Sequence, residues 1–121
     1  MEFEAAIPIW MQVATRIKTD MITQKLPPGA KLPGGRELAL QYTINPNTAA
    51  RVYQELEKKG LCATRRGMGT YVTENRETIS ALRTKMASEA ADRFLRDLGA
   101  LGMDRDDAVR LLNERKDTDH A

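Results

Sequence analysis

The chain is poor in the residues that most often carry chemistry: its 121 positions hold one cysteine, one histidine, one tryptophan and two phenylalanines. A single cysteine, Cys62, cannot form an internal disulfide, which fits a reducing cytoplasm. It lies in a predicted strand, Leu61 to Thr64, where a small core residue is the expected role. The lone histidine, His120, sits beside the last residue, in a segment expected to fray. There is no cysteine–histidine pair, metal-spaced cluster, serine elbow or phosphate-cradling glycine loop, so no catalytic site, metal or cofactor is expected. Asp104, Asp106 and Asp107 look superficially like a cation site but fit better as the N-cap and first-turn acids of a helix. With aromatics at 5%, no exposed stacking platform accompanies the basic residues, which disfavours RNA. No long uncharged apolar run exists and the start, MEFEAAIPIW, is acidic, so neither a membrane span nor a signal peptide is expected.

What is present suits one modest domain, or a small domain with an appendage: 41% hydrophobic and 30% charged residues. Residues 1–74 carry 10 Lys/Arg against 7 Asp/Glu, and residues 75–121 carry 9 against 10. The front is mildly basic and the back nearly neutral, which places any polyanion contact in the front half.

Apolar spacing predicts the elements. A first helix opens at Pro8, whose fixed φ suits a first turn, and runs on a Val13, Ile17, Met21 stripe with Trp10 and Ile22 beside it. Leu26-Pro27-Pro28-Gly29 stops it, and Ala30-Lys31-Leu32 is a short extended link. A second helix, Gly35 to Tyr42, turns Leu38, Ala39 and Tyr42 inward, with Glu37 favourable in its first turn. Asn45 caps a third helix with Pro46 at its first position; Ala49, Val52, Tyr53 and Leu56 face inward, and Gly60 ends it. Leu61 to Thr64 and Thr70 to Thr73 form a hairpin around Arg65-Arg66-Gly67-Met68-Gly69. The fold class is therefore mainly α with a small β-hairpin, in winged helix-turn-helix order, over residues 1–74. Residues 75–116 form a two-helix tail, and 117–121 a disordered end. The long tail helix carries Ile79, Leu82, Met86, Ala90, Phe94 and Leu98 at spacings of three and four. One amphipathic helix with a short partner cannot close its own core, so this stripe is expected to pair two copies, with a ligand cavity as the other reading.

The polar residues gather where such a fold reaches DNA grooves. Asn45, Asn47, Thr48 and Arg51 stand at the start of the third helix, the end that meets base edges and phosphates. Asparagine can pair with adenine, threonine can meet phosphate or a thymine methyl, and arginine can fork onto guanine. Asn45 also has a sufficient role as a cap, and Arg51 can equally be a solvated surface charge. Arg36, opening the second helix, reads either as a phosphate contact or as plain surface charge. At the hairpin tip Arg65 and Arg66 precede Gly67, with Gly69 and Thr70 beyond, so the charges project from a loop able to approach phosphate or the minor groove.

Together these residues resemble the GntR family of bacterial transcription regulators. The resemblance is carried by Pro8-Ile9-Trp10, Leu26-Pro27-Pro28-Gly29-Ala30-Lys31-Leu32-Pro33, Arg36-Glu37-Leu38-Ala39, Asn45-Pro46-Asn47-Thr48, Tyr53-Gln54-Glu55-Leu56-Glu57 with Gly60-Leu61, and Thr64 to Val72. It covers roughly residues 7–73, and the short tail is similar to that of the YtrA-like subfamily; other subfamilies carry larger effector-binding domains. The resemblance implies a non-enzymatic, cytoplasmic homodimer on a palindromic operator in double-stranded DNA, regulating transcription as a repressor. It implies the third helix in the major groove and the wing in the minor groove, with Arg36, Asn47, Thr48, Arg51, Arg66, Gly67 and Thr70 at the family's DNA-touching places. One departure stands out: Gly34-Gly35 occupies the place of a serine and an aliphatic residue, so the side-chain cap of the second helix is missing. Two other readings stay open. The winged helix can be a protein-interaction module without operator specificity, or a ligand-gated regulator with a small-molecule effector pocket in the C-terminal helices.

Overall fold

The computed structural model describes residues 1–116; residues 117–121, including His120 and the expected disordered end, lie outside the described residues. Five helices and one hairpin follow in order: α1 (Ile9–Ile22), α2 (Gly35–Tyr42), α3 (Pro46–Lys58), β1 (Cys62–Arg65), β2 (Gly69–Val72), α4 (Arg76–Gly99) and α5 (Arg105–Glu114). They divide into two compact units, residues 1–83 and 84–121.

In the first unit Val13, Ile17 and Met21 of α1 pack with Leu38 of α2, with Ala49, Val52 and Leu56 of α3, and with Leu61, Cys62 and Val72 at the hairpin base. Each of these is at most 4% exposed, so the spacing-derived faces of all three helices point into one core. Pro8 stands just outside α1 as its N-cap rather than inside the first turn. The helix also ends before the proline pair. Thr23 donates both its N–H and its hydroxyl to the Thr19 carbonyl, at 2.9 Å each, and Gln24 takes a left-handed φ of 64°. The Gln24 N–H turns to the Met21 carbonyl at 3.4 Å, so the i-to-i−4 ladder stops there.

α3 has strong ends. The Asn45 side chain accepts from the Asn47 N–H at 2.8 Å, with Pro46 at the first helical position. At the other end Gly60, at φ 71°, allows the Leu61 N–H to reach the Leu56 carbonyl (3.0 Å) and the Gly60 N–H the Glu57 carbonyl (2.9 Å). This is a Schellman closure, with Leu56 and Leu61 both buried behind it. α2 shows the opposite situation: Gly34 caps it with no side-chain hydrogen bond.

The hairpin pairs Cys62 with Val72 and Arg65 with Gly69, leaving a three-residue tip, Arg66-Gly67-Met68. The strands thus start and end one residue off the sequence expectation, because pairing consumes Arg65 and Gly69, which the composition assigns to the loop. Residues 29–32, expected as a simple link, run along the free edge of β2. The Gly29 N–H donates to Val72 (3.0 Å), Val72 to Ala30 (2.8 Å) and Leu32 to Thr70 (2.8 Å). This bridged segment, with Lys31 opposite Tyr71, satisfies backbone groups that an open edge would expose.

α4 follows from Asn75, whose carboxamide oxygen accepts from the Glu77 N–H at 3.0 Å. Ile79 and Leu82 pack against the first unit's core, which therefore extends to Arg83 rather than stopping at residue 74. Two members of the expected pairing stripe are thus partly covered by their own chain, because α4 begins directly beside the β2 strand end. In the second unit Leu98 and Ala108 are buried and Met86 and Phe94 half-buried, while Ala90 is exposed. Asp104 and Asp107 form a reciprocal capping box at 2.9 Å in each direction, and Asp107 also accepts from Arg110 at 2.6 Å. The N–H of Asp104 and the Arg110 guanidinium hold the Asp107 carboxyl below the usual range. These acids cap a helix, as their spacing suggested.

Candidate nucleic-acid interface

The residues singled out for DNA fall on two surfaces of the first unit. At the α3 N-terminus, Asn45, Asn47 and Arg51 are exposed and Thr48 is half-buried. The four free N–H groups of a helix start carry a partial positive charge suited to phosphate. Asn45 spends its side-chain oxygen on the Asn47 N–H, which leaves its NH₂ group available.

Arg51 is not a loosely solvated charge. Its guanidinium carbon lies 4.4 Å from the centre of the Trp10 ring, a cation–π stack that narrows the rotamers of a long side chain. Trp10 itself is half-buried against the core, so a rigid α1 platform aims an α3 arginine. The place of Trp10 beside the apolar stripe of α1 reads as core packing rather than as a base-stacking surface. Replacing Trp10 with leucine is expected to weaken specific DNA binding by about two- to fivefold, with phenylalanine recovering part of the loss. In an Arg51→Ala background the Trp10 change is expected to be silent; an undiminished effect there, in a double-mutant cycle by fluorescence anisotropy, would show that Trp10 acts elsewhere.

The wing is organised by its own side chains. The Met68 N–H donates to the Arg65 carbonyl at 2.9 Å, with Gly67 at φ 74° closing the turn. The Arg65 guanidinium lies 4.5 Å from the Tyr71 ring centre, and the Tyr71 hydroxyl donates to the Met68 carbonyl at 3.2 Å. Tyr71 thus braces both the charge and the turn. Arg66 is exposed and has no ion-pair partner among the described residues. The Thr70 hydroxyl lies 3.1 Å from that of Thr64, which donates to the Glu57 carboxylate of α3. That chain ties the wing base to α3.

One cation escaped the sequence reading. Lys31 pairs with Tyr71 in the bridged segment, and its Cε would lie 2.8 Å from a Cβ at Gly69. Gly69, at φ 121°, holds a backbone conformation that other residues rarely adopt, and its missing side chain leaves room for Lys31 to cross the wing. The alternation Ala30-Lys31-Leu32, buried only at Leu32, is the signal that marks Lys31 as outward-facing.

Arg36 is exposed in the first turn of α2, on the helix end that lacks a side-chain cap. Gly35 has open space around it and an ordinary φ. Alanine there is expected to stabilise the chain by about 0.4–1 kcal/mol, through the unfolded state and the helix preference. A denaturant midpoint that falls instead would mean the glycine conformation is needed.

Three packed helices, of which α3 is capped by Asn45, and a basic wing define a winged helix-turn-helix DNA-binding head. The profile of bacterial regulatory proteins of the gntR family matches residues 11–72. The chain belongs to the GntR family of transcription regulators, a non-enzymatic family. It is 37% identical over 108 residues to the HTH-type transcriptional regulator YhcF of Bacillus subtilis, covering 89% of each chain. It is 42% identical over 74 residues to the repressor YtrA of the same organism, over 61% of this chain and 57% of that protein. A solved GntR-family regulator from Listeria monocytogenes superposes with a TM-score of 0.86 at 31% identity, over 94% of this chain and all of that one. At lower similarity, the DNA-binding domain of AraR, solved in complex with operator ORX1, aligns over 55% of this chain at 28% identity, with a TM-score of 0.54. Among the described residues, no helix is long and apolar enough to cross a membrane.

Proposed function

We propose that the chain acts as a homodimeric repressor on a palindromic operator, with the start of α3 in the major groove and the wing in the minor groove. The observation that carries this reading is the presence of two positioned arginines, Arg51 on Trp10 and Arg65 on Tyr71, with an exposed Arg66 next to Arg65 that has no ion-pair partner among the described residues. In this assignment Asn47, Thr48 and Arg51 meet bases and adjoining phosphates. Arg36, Arg65, Arg66 and the Gly67–Thr70 backbone hold the phosphate path.

Pairing of two copies is supported by what the second unit leaves uncovered. Leu101, Leu112 and Val109 are 74%, 56% and 49% exposed, with Ala90 also open. Two helices of this size bury too little to stand alone. A two-fold dimer then presents two heads to a two-fold DNA site. Repression is supported by the relative YtrA, which is named a repressor.

Arg66→Ala is expected to lower affinity for all duplexes and to reduce the slope of log affinity against log salt by about 0.9, one phosphate contact. A salt titration with an unchanged slope would remove Arg66 from the interface.

A further inference from the structure

The first unit carries a groove unrelated to the DNA-facing residues. It has a cavity volume of about 160 Å³ and is lined by Met21, Ile22, Gln24 and Pro28 on one side and by Arg76, Ile79, Ser80 and Arg83 of α4 on the other. Its floor is apolar: Met21 is 1% exposed and Ile79 packs on the core. Its α4 wall is cationic, because Arg76, Ser80 and Arg83, at i, i+4 and i+7, lie on one helix face.

These arginines differ from an ordinary solvated charge row. Neither has an acidic residue three or four positions away on α4, where stabilising ion pairs form. Neither is ion-paired among the described residues. The one carboxylate of α1, Asp20, is engaged with Arg16 at 3.7 Å. Glu74, on the neighbouring turn, lies against Gly29 instead. Two uncompensated guanidiniums over an apolar floor complement a ligand that is anionic at one end and apolar at the other. The space is below the roughly 300–1,000 Å³ of drug-sized sites, which restricts the ligand to metabolite size.

We propose that this groove binds a small organic anion, its charge held by Arg76 and Arg83 with Ser80 donating, and its apolar body against Met21, Ile22 and Ile79. Such a ligand bridges the end of α1 to the first two turns of α4. It also touches Pro28, next to Gly29, whose N–H bonds the wing strand at Val72. Occupancy therefore stiffens the support of the wing, a route from metabolite to DNA that needs no separate effector domain.

Hexanoate is the probe, with hexanamide as its neutral counterpart and inorganic phosphate as an anion without a body. In the full chain, hexanoate is expected to shift the Met21 and Ile79 methyl NMR signals saturably, hexanamide not at all, and phosphate more weakly. Arg76→Gln with Arg83→Gln, both at exposed positions, is expected to weaken hexanoate binding by at least about tenfold for a lost charged hydrogen bond. The proposal is overturned if millimolar hexanoate gives no saturable shift, or if hexanamide or phosphate binds equally well. It is also overturned if the double variant loses DNA affinity while hexanoate binding is unchanged, since the arginines would then serve DNA phosphates.

Discussion

Glutamate at both Val109 and Leu112 is expected to yield a folded monomer whose affinity for a palindromic site falls by about 10²–10⁴-fold. The two side chains stand one helical turn apart on α5 and are 49% and 56% exposed, so charges there disturb little inside one chain. In a pair of chains they place like charges in an apolar seam, where desolvation and repulsion act together. Affinity for an isolated half-site is expected to stay within about twofold, because no residue of the head is touched; surface changes of this kind usually cost under about 0.5 kcal/mol. Light scattering and anisotropy on full and half sites separate the two effects. A dimer of undiminished affinity would move the pairing surface away from α5.

Leu56→Ala is expected to destabilise the head by about 2–5 kcal/mol, a large share of the roughly 5–15 kcal/mol available to a domain. Leu56 is wholly buried at the point where α3 meets α1, and its carbonyl closes the Schellman turn that launches the hairpin. The cavity therefore opens at the junction of α3 and the wing. Each kilocalorie corresponds to about 4–8 °C of melting temperature in a head of this size. Trp10, the single tryptophan, reports head unfolding by fluorescence without signal from the second unit. Leu40→Ala is the control: Leu40 is 81% exposed, and its loss is expected to be nearly neutral. Equal midpoints for the two variants in urea would contradict the assigned core.

Cys62 lies in the same core, and its thiol is pushed up to about 12, mainly by burial and secondarily by Glu57. A thiolate is the reactive form, so this residue is a packing element, as its place in a short apolar strand indicated. Tyr53 shows the same logic at larger scale. Its inward position followed from helix spacing, whereas its hydroxyl bond to the Pro33 carbonyl depends on a residue twenty positions away. Local signals, then, were sufficient for α2, for the Asn45–Pro46 start of α3 and for its Gly60 end, since caps and apolar periods act within a turn or two.

The features that sequence reading missed are non-local. The bridged segment at residues 29–32 exists because Thr70 and Val72 offer partners some forty residues later, and that pairing brings Lys31 to Gly69. Ile79 and Leu82 matched the tail's period perfectly well, yet periodicity says which face is apolar and not what covers it. Here the chain's own core covers part of each. Trp10 and Arg51 were each legible as residue types, but their stacking required the packing of α1 on α3. The Gly34–Gly35 departure remains real: α2 starts without a side-chain cap, directly beside Arg36.

Hydroxyl-radical footprinting of the full chain on duplexes enriched from a random-sequence pool, with the mass of each complex measured in parallel, tests the central claim most directly. Two protected half-sites related by two-fold symmetry, about one helical turn or a multiple of it apart, with two chains per duplex, are the expected result. A single protected patch with one chain per duplex, or salt-sensitive binding with no enriched sequence at all, would contradict a dimeric operator-reading regulator.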